Sequence, residues 1–233
     1  MDLYRTLEQA VQNVDGWTPL EQLHSLATLV LATSDVEGDI LEVGSWCGRS
    51  SIALGLGSKA TNGCTVHCVD LFPNKSDWYE NKDGTFSFGV QLNDNFITSY
   101  DEQTVWAEAF RDTVLPVYEK IDNLLEIFKS NIAAADVQDV MTTFRGELDS
   151  YLKLNEDQKY RLVFLDGDHS YNHVIEEIRS IQGLISSGGW LCFDDAFTSY
   201  TGVDAAITEG IINSEHFKNC HQITRKMFIA QKV

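Results

Sequence analysis

The stretch that most constrains the fold is residues 161–171, Arg-Leu-Val-Phe-Leu-Asp-Gly-Asp-His-Ser-Tyr. Its first five residues are mostly apolar and predict a buried strand, which ends in a polar turn that contains glycine. An apolar helical pattern follows, formed by Val174, Ile175, Ile178, Ile181, Leu184 and Ile185. Strand, acidic turn and helix form the unit of a parallel α/β sheet, and such sheets hold their ligands at the carboxyl ends of the strands.

Two carboxylates and a histidine, Asp166, Asp168 and His169, lie in this turn. A helix cap would account for Ser170 or Asn172, but it would not account for Asp166 and His169, which precede it. We therefore predict chemistry at this turn. A neutral imidazole titrates near working pH, so His169 is the candidate general base. The role of Asp168 stays open, because it could replace either neighbour as a ligand or simply cap the helix.

A second strand, turn and helix lie within residues 39–51 and the sequence after them. Residues 40–43 predict a short strand, and residues 50–57 predict the helix. Between them, Gly44 and Gly48 allow a tight turn and a close approach of the backbone to a ligand. This arrangement is typical of the start of a nucleotide-binding βαβ unit.

The residues beside this turn indicate which ligand it would take. The spacing is Glu-x-Gly-x-x-x-Gly rather than Gly-x-Gly-x-x-Gly, which counts against a dinucleotide. Glu42 would repel a phosphate but would favour an ammonium or sulfonium group. The next predicted strand, residues 64–71, contains Asp70 near its end, where a carboxylate can accept hydrogen bonds from both ribose hydroxyls of an adenosine. An adenosine that carries a cationic group fits these features better than NAD.

A further acidic pair follows the fifth predicted strand. The sequence Ser-Ser-Gly-Gly at 186–189 predicts a turn, and residues 190–193 predict a strand that ends in Asp194 and Asp195. In a parallel sheet these carboxylates would converge with Asp166. Three like charges require a cation or bound protons, and carboxylate oxygens suit Mg²⁺ or Mn²⁺. The alternative is an acidic turn that binds no metal.

Length and charge exclude other classes of protein. The 233 residues are enough for one sizeable α/β domain, and the five cysteines are too few and too scattered for a disulfide framework. A net charge of −18 argues against a nucleic-acid partner. No apolar run approaches the roughly 20 residues of a membrane helix, and no signal peptide is evident, so the expectation is a cytoplasmic protein. A homo-oligomer stays possible.

Four motifs in order resemble the class I S-adenosylmethionine-dependent methyltransferases. They are Leu-Glu-Val-Gly-Ser-Trp-Cys-Gly-Arg-Ser-Ser, Val-Asp-Leu-Phe, Phe-Leu-Asp-Gly-Asp-His-Ser-Tyr and Cys-Phe-Asp-Asp-Ala. Within that class the chain is most similar to the metal-dependent macrocin O-methyltransferase and cephalosporin-hydroxylase-like group, over about residues 20–72 and 138–232. Trp46 stands where many members have a second glycine. The resemblance implies a doubly wound, mostly parallel, seven-stranded Rossmann-like sheet with helices on both faces and an antiparallel C-terminal hairpin.

The resemblance also implies roles for particular residues. The implied activity is transfer of a methyl group to a hydroxyl of a sugar, natural product or catechol-like molecule, with a divalent metal on Asp166, Asp194 and Asp195. A metal-independent or hydroxylase-like relative and a non-catalytic S-adenosylmethionine-binding protein are the alternatives. The residues implied to hold the cofactor are Glu42, Gly44, Ser45, Gly48, Ser50, Ser51, Asp70, Leu71, Gly146, Glu147 and Asp166.

Two further segments complete the single predicted domain. Residues 1–35 predict two helices over the sheet edge, the first at about 2–13 and the second beginning near Thr18 and Pro19. Residues 73–137 fit no core element of the class. We interpret them as a substrate lid with aromatic residues, and a dimerisation element or surface excursion is the alternative. Pro116 is predicted to end one helix there and to begin the next.

Overall fold

The computed structural model describes residues 2–98 and 104–233. The helices in these ranges are α1 Leu3–Val11, α2 Leu20–Ala32, α3 Arg49–Lys59, α4 Ala107–Ala109, α5 Leu124–Ala134, α6 Leu148–Leu154, α7 Tyr171–Ile181 and α8 Thr201–Ile207. The strands are β1 Asp39–Val43, β2 Val66–Asp70, β3 Trp78–Glu80, β4 Phe86–Leu92, β5 Asn95–Thr98, β6 Met141–Arg145, β7 Tyr160–Leu165, β8 Ile185–Phe193, β9 Phe217–Gln222 and β10 Phe228–Lys232. None of these helices is long and apolar enough to cross a lipid bilayer.

Seven strands form the main sheet in the order β6-β2-β1-β7-β8-β10-β9. The first five are parallel, and β10 runs antiparallel to both β8 and β9. The predicted doubly wound sheet with an antiparallel C-terminal hairpin is therefore confirmed. Because β1 and β7 are neighbours although a long stretch of chain separates them, their carboxyl ends flank the point where the strand order reverses. Ligands bind at such a point in open α/β sheets.

The sheet buries both of its faces. All six residues of β7 are buried, as expected for a central parallel strand. Leu162 and Phe164 pack on one side with α1, α2, α3 and α5, whereas Val163 and Leu165 pack on the other side with α6, α7 and α8. The continuous apolar run in the sequence thus reflects burial on two sides, and it fixes where the acidic turn after Leu165 emerges.

The boundaries around β8 differ from the prediction. The helix α7 ends at Ile181, and Ile185 begins β8 rather than continuing the helix. Tyr160 pairs with Ile185 and Leu162 pairs with Trp190, so β8 contains extra residues at this point. The predicted Ser-Ser-Gly-Gly turn is wrong, because these residues form a bulge inside the strand. Gly188 adopts a φ of 84° in this bulge, a left-handed conformation that glycine adopts without steric cost.

The first half of the insertion forms a separate three-stranded antiparallel sheet, β3-β4-β5, which the sequence did not predict. In β4 the buried positions include Ser87 and Gly89, while Phe86 and Phe88 are only half-buried. Phe86, Phe88, Val90 and Leu92 nevertheless alternate with smaller or polar residues, and Val90 is fully buried. This alternation is the period of a strand, and the sequence analysis missed it. Asn93, with a φ of 52°, provides the tight turn between β4 and β5.

The second half of the insertion enters the core. Helix α5 buries Leu124, Phe128 and Ile132 in the same cluster as α3. The prediction that residues 73–137 contain no core element is therefore wrong for α5, which forms part of the crossover between β2 and β6. Pro116 lies within a 3₁₀ turn, and α5 begins only after Asn123, whose side chain accepts a hydrogen bond from the Glu126 amide at 3.0 Å. Pro19, for its part, occupies the N-cap of α2 rather than its first turn.

Candidate active site

The turn after β1 depends on two glycines with left-handed φ angles near 90°. A Cβ atom on Gly44 would collide with the carbonyl oxygen of Asp166, and one on Gly48 would lie 3.1 Å from the Phe128 ring. The sequence predicted that a ligand would approach this backbone. In the structure the close approach is made by the end of β7 and by α5, so these glycines bring the strand ends and the crossover helix together.

Glu42 lies beneath this turn and is completely buried. The hydroxyl of Ser45 donates a hydrogen bond to Glu42 Oε2 at 2.7 Å, and the hydroxyl of Ser51 donates to the same oxygen. Burial raises the pKa of Glu42, although the serine hydroxyls oppose this. Oε1 of Glu42 has no hydrogen-bond partner in the described chain, which leaves a polar atom that a cationic ligand would satisfy. Ser50 is buried beside them.

Asp70 holds the other side of the turn. Its carboxylate accepts hydrogen bonds from the backbone amides of Trp46 at 2.9 Å and Phe72 at 2.5 Å. Both of these residues have φ angles in the left-handed region, 47° and 44°, which is unfavourable for an aromatic side chain. Asp70 therefore stabilises two strained residues. Each carboxylate oxygen has a further lone pair, so the predicted ribose contact stays compatible with these bonds.

The remaining predicted cofactor residues lie at the adjoining strand ends. The amide of Gly146 donates to the carbonyl of Asp70 at 2.9 Å, and the guanidinium of Arg145 donates to the carbonyl of Leu71 at 3.1 Å. Gly146 is buried, whereas the Glu147 side chain is exposed just before α6. The structure thus brings Asp70, Leu71 and Gly146 together at the ends of β2 and β6, with Glu147 at their rim.

The acidic residues meet at the ends of β7 and β8. Asp194 is buried, and both of its oxygens are occupied: Gln22 donates to Oδ1 at 2.5 Å, and the Lys226 ammonium donates to Oδ2 at 2.6 Å. The same ammonium lies 3.3 Å from Oδ1 of Asp195. Lys226 is thus a cation that the sequence analysis missed. It follows the hairpin strand β9 and has no local motif; only the position of β10 beside β8 reveals it.

Asp166, His169 and Asp195 form a compact group, in which one potential ligand atom from each lies within 4.8 Å of the others. Nε2 of His169 is 3.1 Å from Oδ2 of Asp195, yet this buried nitrogen makes no hydrogen bond in the described chain. The imidazole stacks on Tyr200 at a centroid distance of 4.1 Å. Two carboxylates and an imidazole are suitable ligands for a divalent metal. Asp194, which the sequence predicted as a ligand, is not in this group.

The methyltransferase domain family matches residues 41–196, which include the glycine turn and the acidic strand ends. The chain belongs to this family of methyltransferases. No curated protein matches the chain significantly.

Solved structures share the fold of this methyltransferase at low sequence identity. The O-methyltransferase NovP is 16% identical, with 99% of this chain and 96% of NovP covered and a TM-score of 0.69. An O-methyltransferase from Bacillus cereus in complex with SAH is 16% identical, with 98% and 91% covered and a TM-score of 0.58. CalS11, a TDP-rhamnose 3'-O-methyltransferase of calicheamicin biosynthesis, is 14% identical, with 99% and 93% covered and a TM-score of 0.57.

The ionisable groups in the acidic centre of the methyltransferase differ in the direction of their pKa shifts. Burial and the charge of Asp194 raise the pKa of Asp166 well above its usual range, and Lys226 only partly opposes this. Burial would also raise the pKa of Asp195, but His169 and Lys226 together lower it. Burial lowers the pKa of Lys226, but the three neighbouring carboxylates raise it, and the net effect is an increase. The ammonium group of Lys226 is therefore charged. An added cation would oppose the pKa shift of Asp166 and stabilise its ionised form.

A second pair of acids lies behind this centre. Asp168 is buried; its Oδ1 accepts a hydrogen bond from the Ser170 amide at 2.6 Å, and its Oδ2 has no hydrogen-bond partner in the described chain. Glu177 from α7 faces the same small pocket, which Asp166 and His169 also line. Burial and the neighbouring charge of Asp168 raise the pKa of Glu177 to about 8.

Proposed function

We propose that this methyltransferase transfers the methyl group of S-adenosylmethionine to a hydroxyl group of a small molecule, at a centre that uses a divalent metal. One observation carries the proposal. The glycine turn and Asp70 lie at the ends of β1 and β2, while the group of Asp166, His169 and Asp195 lies at the ends of β7 and β8. Adjacent strands are about 4.8 Å apart, so a cofactor and an acceptor at these two places would be neighbours.

The cofactor side has the features that an adenosine with a cationic group requires. Asp70 lies at the end of β2, where its carboxylate would accept hydrogen bonds from the ribose hydroxyls. Gly146, whose amide donates to the Asp70 carbonyl, would lie beside the adenine. Glu42, whose Oε1 has no hydrogen-bond partner in the described chain, and the serines beneath the turn would provide polar groups for the cationic end of the cofactor. The fold is shared with the Bacillus cereus enzyme that was crystallised with SAH, which supports the choice of cofactor.

The acceptor side has the features that activation of a hydroxyl requires. A metal held by Asp166 and Asp195 would supply Lewis acidity and lower the pKa of a bound hydroxyl. The residues of the chain would then orient the acceptor and take up its proton. The sequence analysis gives the proton to His169 as the general base, but Nε2 of His169 cannot bind a metal and a proton at once. An acceptor with two neighbouring hydroxyls, as in a sugar or catechol-like ring, suits such a centre.

Two measurements test the proposal. Calorimetry should show S-adenosylmethionine binding at micromolar affinity, about −8 kcal/mol, and weaker or undetectable binding of NAD. Methyl transfer should then be measured over a panel of hydroxylated natural products, with and without added metal, for the wild type and Asp166→Ala. Tighter binding of NAD than of S-adenosylhomocysteine would contradict the cofactor assignment. Cofactor binding without transfer to any acceptor would favour a non-catalytic protein, and full activity without metal would exclude the metal mechanism.

A further inference from the structure

The ligand set of the acidic centre differs from the one that its three aspartates suggest. Asp194 is the most deeply buried of the three, and it is held from both sides by Gln22 and Lys226. The position of Lys226 is fixed by the fold, because its backbone carbonyl accepts a hydrogen bond from the Ala196 amide at 2.9 Å. An ammonium anchored in this way competes directly with a metal ion for the Asp194 carboxylate.

His169 occupies the place that Asp194 leaves. The distance of 3.1 Å between Nε2 of His169 and Oδ2 of Asp195 matches adjacent ligands of an octahedral ion, which lie about 3.0 Å apart when the bonds are about 2.1 Å long. A second observation also indicates a missing ligand here. The side chain of Asp168 is only 5% exposed, and its unpartnered Oδ2 belongs to a residue that lines the same pocket as Asp166 and His169.

We propose that Lys226 determines the metal specificity of this centre, by pairing with Asp194 and leaving a mixed site of Asp166, His169 and Asp195. Imidazole nitrogen favours the later first-row ions, such as Fe²⁺, Co²⁺ and Zn²⁺, whereas all-oxygen sites suit Mg²⁺. The centre therefore takes a later transition-metal ion in preference to Mg²⁺. This inference rests on the proposed metal-dependent function, and it makes His169 a ligand rather than the general base.

Pulsed electron paramagnetic resonance tests the histidine directly. Chelator-treated protein is loaded with Mn²⁺ as the spectroscopic probe, in the absence of S-adenosylmethionine. Coupling of the Mn²⁺ spin to an imidazole nitrogen is expected in the wild type and should be lost in His169→Asn. The matched control is His173→Asn, in the first turn of α7, which should retain the coupling. A wild-type spectrum without nitrogen coupling would overturn the proposal, and this result does not depend on any Lys226 variant.

Calorimetric titration with Mg²⁺ and Co²⁺ tests Lys226. In Lys226→Met, Asp194 becomes available, so the affinity for Mg²⁺ should increase about tenfold and the preference for Co²⁺ should decrease. Lys226→Arg keeps the charge and should resemble the wild type. Unchanged Mg²⁺ affinity in a folded Lys226→Met protein would refute the role of Lys226. Since these titrations contain no cofactor, their failure leaves the methyltransferase proposal standing, whereas a lack of S-adenosylmethionine binding in a separate titration would remove it.

Discussion

The carboxyl group of Glu177 should contribute to the pH dependence of the protein's stability, and Glu177→Gln should remove this contribution. In the unfolded chain this group titrates near 4.5, and in the folded protein burial and Asp168 raise its pKa to about 8. The folded state therefore holds a proton that the unfolded state releases. A raised carboxyl pKa contributes stability that is fully present below pH 4.5 and is lost as the pH rises through 8.

The size of the effect follows from the same two pKa values. One pKa unit is worth about 1.4 kcal/mol. Ionisation of Glu177 in the unfolded chain therefore lowers the free energy of unfolding of the wild type by about 1 kcal/mol at pH 5 and by up to about 4 kcal/mol at pH 8. The side chain is half-buried, and solvent screening reduces this to roughly 2–3 kcal/mol at pH 8. Glutamine resembles the protonated acid, so the stabilisation of Glu177→Gln over the wild type should increase with pH.

Urea denaturation at pH 5, 6.5 and 8 measures this difference, with the free energy of unfolding taken from the linear extrapolation. Glu176→Gln is the matched control, because Glu176 is the exposed preceding residue of the same helix. Its effect on stability should be within about 0.5 kcal/mol at every pH. A Glu177→Gln effect that is equal at pH 5 and pH 8 would show that this carboxylate is already ionised in the folded protein, and would refute the reasoning.

Four other predictions concern the turn, the cofactor, the metal and the insertion. Gly44→Ala should destabilise the fold by about 2–5 kcal/mol in urea denaturation, because it adds backbone strain and a steric overlap with the Asp166 carbonyl. The control Gly84→Ala has a similar φ but open space around it, and it should cost only about 1–2 kcal/mol. Asp70→Ala should weaken S-adenosylmethionine binding by roughly 2–4 kcal/mol in calorimetry, and unchanged affinity would remove its ribose role. EDTA should lower the melting temperature if a metal stabilises the folded state. Residues 75–98 should exchange their amide hydrogens more slowly with substrate bound if they form a lid, and strong protection in the free protein would contradict this.

The elements that the sequence predicted correctly are those in which local pattern and burial agree. The run 161–165 is apolar throughout because both faces of β7 are covered, so its position and its end could be predicted. The position and the end of β1, the strand before Gly44, could be predicted for the same reason. In β4 the apolar residues Phe86, Phe88, Val90 and Leu92 do alternate, but Ser87 and Gly89 on the opposite face are buried as well. The alternation marks a strand, but it does not tell which of its faces is covered.

The contacts that could not be predicted are those that depend on the order of strands in the sheet. Asp166 and Asp195 were expected to converge because β7 and β8 were expected to be neighbours. Lys226 reaches them only because β10 inserts between β8 and β9, and Gln22 reaches Asp194 from a helix near the N-terminus. From the carboxylates alone, the sequence analysis predicted a bound cation. The chain itself supplies one positive charge at this place, the ammonium group of Lys226.

Backbone strain is concentrated at the edge where the cofactor and acceptor would meet. Trp46, Phe72, Asp195 and Phe197 all have φ angles between 44° and 57°, and they follow the ends of β1, β2 and β8. Each such residue costs of order 1–3 kcal/mol, and such strain persists only where the surroundings hold it in place. Asp70 does so for the first two through their amides, and the Phe197 amide donates to Asp204 at 2.5 Å. The residues that keep the crevice in shape are thus themselves acidic, which links the geometry of this edge to its negative charge and to the cations that it would bind.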